Sequence, residues 1–121
     1  MGGRIPKRDA KMVRISGPKD VGDSDAVAAW VGNAWAATRS KVWEAPTTAW
    51  NVTHLRTGFF LRCTNDRNEP WTTRARAVRL AKALDAEIGE LWPRSRFGRA
   101  PRRPDATVLE KLTAIRTRET A

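Results

Sequence analysis

Apolar side chains along "TTRARAVRLAKALDAEIGELWP" fall at Ala77, Leu80, Ala81, Leu84, Ile88 and Leu91, the i, i+3, i+4, i+7, i+11, i+14 series of one helical face. The spacing predicts a helix over 72–84, capped by Thr72 or Thr73, and a short second helix over 86–92 that Asp85 starts and Pro93 stops. A broad apolar face of Val27, Trp30, Val31, Ala34 and Trp35 predicts another helix over 25–39, with Asp23, Ser24 and Asp25 as caps and Arg39 and Lys41 suiting its last turn. Val108, Leu112 and Ile115 mark a final amphipathic helix over about 106–118, opened by the capping-box pattern "TVLE" at 107–110.

Residues 49–63 fit two patterns. Val52, Leu55 and Phe59 align on a helix, with Gly58 as a flaw; "VTHL" and "FFLRC" flanking "RTG" suit a short β-hairpin over 52–63. Pro46 breaks the chain before this segment, and "TNDRNEP" at 64–70 is loop by composition. The expected fold is therefore mainly α. It is a helical core of four to five helices over 23–93, preceded by a basic flexible arm over 1–22. An Arg-rich linker over 94–104 leads to a C-terminal helix over 105–121.

Charge changes this picture more than composition does. The net charge of +10 on 121 residues is concentrated in two short pieces: +4 over residues 1–20 and +5 over 94–104. The rest of the chain is nearly neutral. Clustered Lys and Arg displace counterions from phosphates, so nucleic acid is the expected partner. The longest apolar run, "AVAAWV" at 26–31, is far too short to span a membrane, and no apolar leader opens the chain. The lone cysteine, Cys63, cannot form an intramolecular disulfide, which points to a reducing cytoplasm. One histidine and one cysteine do not make a typical zinc site, and no serine sits in a nucleophile elbow. His54 with Cys63 as a catalytic pair, or Asp85, Glu87 and Glu90 as an acidic site, is weaker than the reading of those residues as structural. The expectation is a binding protein with no cofactor and no enzymatic role.

"NDRNEPWTTRARAVRLAKALDAEIGELWP" (65–93) resembles the C-terminal half of a Cro/repressor-type, XRE-like helix-turn-helix domain. Pro70, the run Leu80-Ala81-Lys82-Ala83-Leu84 and the run Ile88-Gly89-Glu90-Leu91-Trp92 carry the likeness, over about a quarter of the chain. The resemblance implies sequence-specific binding of duplex DNA, usually as a homodimer with a recognition helix in the major groove. Residues 47–62 are the expected place for that helix, with Asn51, Thr53, His54 and Arg56 facing bases or phosphates. Arg74, Arg76 and Arg79 lie off the apolar stripe and are candidates for phosphate contact. Lys7 and Arg8 in the arm, and Arg94, Arg96, Arg99, Arg102 and Arg103 in the linker, are candidates for minor-groove or backbone contact. "GRAPRRP" (98–104) resembles an AT-hook whose core is interrupted by Ala100. The expected role is a regulator of a phage or high-GC bacterium, DNA being favoured over RNA as the target. The alternative is a structural component of a nucleoprotein assembly such as a virion or ribosome-associated protein.

Overall fold

The computed structural model describes residues 11–17, 22–41, 45–63 and 69–120. It overturns the mainly α expectation. Five antiparallel strands, β1 (Lys11–Ile15), β2 (Ser24–Val31), β3 (Trp35–Arg39), β4 (Trp50–His54) and β5 (Phe60–Leu61), form one sheet in the order β1-β2-β3-β4-β5. Two helices follow, α1 (Arg74–Glu87) and α2 (Ala106–Thr120). The helix foreseen at 25–39 is instead the β2–β3 hairpin. The candidate recognition helix at 47–62 is β4 and β5 with their turn, so the hairpin alternative is the one adopted. No helix-turn-helix pair forms among the described residues. Part of the foreseen N-terminal arm is β1 itself, while residues 1–10 lie outside the described residues.

Burial on both faces explains the misread strands. A half-buried strand alternates apolar and polar residues, but one covered on both faces reads as a continuous apolar run. All five residues of β4 and the first four of β3 are buried. Trp35 and Ala37, paired with His54 and Val52, face the helices. Ala36, Val13 and Ala28 pack together on the other face with Ile15, Val31 and Leu55. A register shift between Ala28 and Trp30 further blurs the alternation of β2.

The sheet is coiled rather than flat. Ser16 N–H donates to the Gly58 carbonyl at 2.9 Å, so the end of β1 meets the β4–β5 turn although three strands separate β1 from β5 in the sheet order. Small residues on the inner face permit that curvature. Ala26, Ala28 and Ala36 are buried there, and Thr38 and Thr53 join across the ladder by a hydroxyl–hydroxyl hydrogen bond of 2.7 Å.

Helix α1 matches its stripe: Ala77, Leu80, Ala81 and Leu84 are fully buried against the sheet and α2. Thr73 caps it by accepting from Arg76 N–H at 3.3 Å. The short helix expected over 86–92 does not form. Instead Ile88 and Gly89 N–H both close on the Leu84 carbonyl, ending α1 in one step. Asp85, freed from a capping role, accepts from the backbone N–H groups of Asn33, Ala34 and Trp35 at 3.3, 2.7 and 3.3 Å. A methyl group at Gly32 would collide with Trp30 and lie 2.7 Å from the Asp85 carboxyl, so the β2–β3 turn needs glycine. Asp105, not the "TVLE" pattern, caps α2, accepting from Val108 N–H at 3.0 Å. Leu112 and Ile115 then bury against α1. Among the described residues no helix is long and apolar enough to cross a membrane.

Candidate nucleic-acid interface

The segment leaving α1 does not hang free. Residues 88–104 run back over the β4–β5 end of the sheet and are fixed there at three places, with a fourth contact closing the segment on itself.

The first is a buried joint. His54, at the end of β4, is fully buried between Trp35 and Trp92, each ring edge-on to the imidazole with centroids 5.0 Å apart. His54 Nδ1 meets Thr57 Oγ1 at 2.9 Å, and Nε2 is hydrogen-bonded to Glu90 Oε1. Glu90 also accepts from Trp92 N–H at 3.2 Å and from Arg56 Nε at 3.3 Å. Thr57 Oγ1 accepts from Phe59 N–H at 3.3 Å. Donors and acceptors balance with a neutral imidazole protonated on Nε2. Nε2–H donates to Glu90, the Thr57 hydroxyl donates to Nδ1, and the same hydroxyl accepts from Phe59 N–H. Protonating Nδ1 would leave the Thr57 hydroxyl hydrogen without an acceptor. Burial accordingly lowers the His54 pKa below its ordinary value of 6.5, with the Glu90 hydrogen bond and charge opposing that shift and Arg56 adding to it. For Glu90, partial burial pushes upward, but the hydrogen bonds and charge of His54, with those of Trp92 N–H and Arg56, leave its pKa below the usual carboxylate value.

The other anchors hold the loop itself. Trp92 Nε1–H donates to the Arg102 carbonyl at 2.7 Å. Gly98 N–H donates to the Thr57 carbonyl at 3.0 Å. Phe97 lies over Gly58, with the Arg14 guanidinium 4.5 Å from its ring centroid and Arg14 also paired with Asp23 at 2.9 Å. Gly58 has φ +74, and a methyl group there would strike the Phe97 ring and approach Ser16 N to 2.7 Å. The glycine that flawed a helical reading of 49–63 is thus the seat of the loop.

Between these anchors lies a cleft of about 610 Å³. Its lining includes Leu91, Trp92, Pro93 and Pro104 with Arg94, Arg96, Arg99, Arg102 and Arg103. All five arginines are exposed, and none pairs with an acidic side chain among the described residues. The sequence-predicted linker arginines are therefore brought together around one concavity.

The other candidates are dispersed. Asn51, Thr53 and His54 are buried within the sheet: Asn51 donates to the Pro70 carbonyl, Thr53 bonds Thr38, and His54 belongs to the joint. None of these three presents a side chain to solvent. Arg56 is exposed at the turn and engaged by Glu90. Arg74 starts α1 and lies over Trp50, 5.8 Å from its ring centroid, at the end of β4 opposite His54. Arg76 is half-buried and Arg79 exposed on α1. Lys7 and Arg8 lie outside the described residues.

Trp92, Phe97 and Gly58 were not among the sequence candidates, and Glu90 was weighed only with Asp85 and Glu87 as an acidic site. The readable signal was the pair of aromatics flanking and interrupting an otherwise polar basic loop. A free arm has no use for them. Cys63, considered with His54, is buried and shares no bond with it; burial pushes its thiol up to about 11, which makes it unreactive. Among the described residues no group of three His, Cys, Asp or Glu side chains is placed to hold a metal ion. Comparison with protein-family models, curated proteins and solved structures finds no match.

Proposed function

We propose that the protein binds nucleic acid, gripping phosphates with Arg94, Arg96, Arg99, Arg102 and Arg103. The observation that carries this reading is five guanidinium groups, none paired with an acidic side chain among the described residues, ringing one cleft on a loop already fixed in place. Guanidinium forks suit phosphate oxygens bidentately. A docked loop also forfeits less conformational entropy on binding than a free arm. His54 and Thr57 are sealed from solvent, so their trio with Glu90 serves as a joint and the protein acts as a binder rather than a catalyst. The setting is a reducing cytoplasm, where a single buried thiol persists.

The test is fluorescence anisotropy of labelled oligonucleotides at about physiological salt with wild type and the Arg99→Ala/Arg102→Ala variant. The Trp92–Arg102 bond uses a backbone carbonyl and survives that change. A loss of tenfold or more in affinity is expected. Unchanged binding would place the contact elsewhere.

A second reading, a component of a nucleoprotein assembly, draws on Met12 and Phe60. These are exposed large apolar side chains on β1 and β5, the two edge strands. Sedimentation with and without nucleic acid separates the two: large particles formed by protein alone favour assembly, and a small species favours a regulator.

A further inference from the structure

We propose that the cleft takes a single-stranded polynucleotide, DNA or RNA, in preference to a duplex. This rests on the nucleic-acid reading above and specifies its ligand. Shape and lining both favour a single strand. At about 610 Å³ the open cleft falls in the size range of small-molecule sites, roughly 300–1,000 Å³, room for a base to enter from one side. Its wall combines an indole, a leucine and two prolines with the five arginines. Unstacked bases need that pairing of apolar surface for their faces and cations for their phosphates.

A duplex offers neither fit. Its bases are stacked inside, and it presents a convex phosphate surface that only the arginines at the rim would meet. Reading a major groove takes a protruding helix or two-stranded ribbon. Helix α2, which begins at Ala106 two residues past Pro104, opens with Asp105 and Glu110 and no Lys or Arg before Lys111, so its end at the cleft repels phosphates. The β4–β5 ribbon is covered at its turn by Phe97, and its inward residues Asn51, Thr53 and His54 are buried. Helix α1 turns its apolar side to the sheet and begins at the Trp50 end, away from the loop. Trp92 is anchored at Nε1 by Arg102 and at its ring by His54, so it stands as a fixed surface for a base.

Charge alone predicts the reverse preference, because a duplex carries the denser array of phosphates. The comparison therefore separates a shaped site from a merely basic one. Anisotropy titrations at about 150 mM salt are run with labelled oligo-dT and oligo-U of twelve residues, a twelve-base-pair duplex, and a twelve-unit abasic deoxyribose-phosphate strand. The expected result is at least tenfold tighter binding of either single strand than of the duplex, and at least fivefold weaker binding of the abasic strand than of oligo-dT. Equal or tighter duplex binding overturns the single-strand assignment and leaves the nucleic-acid reading standing. Equal binding of the abasic strand removes the base from the cleft and overturns the assignment likewise. Absence of binding to all four probes overturns both.

Discussion

Trp92→Phe removes a single hydrogen-bond donor from the Arg loop and leaves an aromatic ring beside His54. In the native protein Nε1–H reaches the Arg102 carbonyl at 2.7 Å across an exposed gap. A hydrogen bond of that kind contributes about 1 kcal/mol net, since the freed carbonyl regains water. At room temperature this is roughly a fivefold rise in the fraction of molecules whose loop is open between Trp92 and Arg102. Phe97→Ala acts instead on the docking of the loop against the β4–β5 turn. Half the burial of a phenylalanine is worth about 1–1.5 kcal/mol, and the Arg14 cation–π contact adds about 0.5 kcal/mol. Together these are about 1.5–2 kcal/mol, a rise of roughly ten- to thirty-fold. The arginines of the loop are themselves trypsin sites, so limited trypsinolysis read by mass spectrometry reports loop opening directly. Cleavage after Arg96, Arg99 and Arg102 should accelerate by these factors. Cleavage after Arg76 and Arg79 in α1, which requires the core to open, should stay at the wild-type rate. Wild-type cleavage of the loop in both variants would show that the loop is not held by these contacts, and the case for a preformed cleft would fail. Equal acceleration at the α1 sites would assign the effect to global unfolding instead.

Other consequences follow from the joint and the core. Asp85→Ala strips three backbone N–H groups of the β2–β3 turn of their acceptor and should lower stability by about 2–4 kcal/mol in urea unfolding; a loss below about 0.5 kcal/mol would contradict the turn-capping role. Leu80→Ala, at a fully buried site between sheet and α2, should cost about 2–5 kcal/mol. Acid should destabilise the fold in two stages. His54 has a lowered pKa in the native state, so the unfolded chain binds its proton first and stability declines as pH falls below about 6.5. Glu90 is lowered too, so a further decline begins below about 4.5. His54→Gln should abolish the upper stage in pH-dependent urea midpoints, and a profile identical to wild type would contradict the neutral buried imidazole.

Why α1 was legible and the sheet was not has a physical explanation. Helix α1 has one buried face, so its 3.6-residue period survives in Ala77, Leu80, Ala81 and Leu84, and Thr73 caps it as expected. Strands β3 and β4 are covered on both sides, which erases the two-residue period. The alanines of β2 and β3, good helix formers in isolation, pack inside a coiled sheet instead. A signal was present: Gly32-Asn33 between two apolar runs is a hairpin dipeptide, and its glycine is required by Asp85. The basic loop was visible as charge. Its docking was not, because it depends on Gly58, Thr57 and Arg14, far away in sequence. The apolar stripe marked the helix that packs the core, while the recognition helix expected over 47–62 is the β4–β5 hairpin.

The most direct test of the account is the salt dependence of binding to a single strand. Each phosphate neutralised contributes about −0.7 to the slope of log affinity against log salt. Five arginines acting together predict a slope near −3.5 for the wild type. Arg99→Ala/Arg102→Ala should reduce it to about −2, while Arg74→Ala/Arg79→Ala on α1 should leave it unchanged. A slope insensitive to the loop substitutions, or one lost through the α1 substitutions, would contradict the assignment of the nucleic-acid site to the Arg cleft.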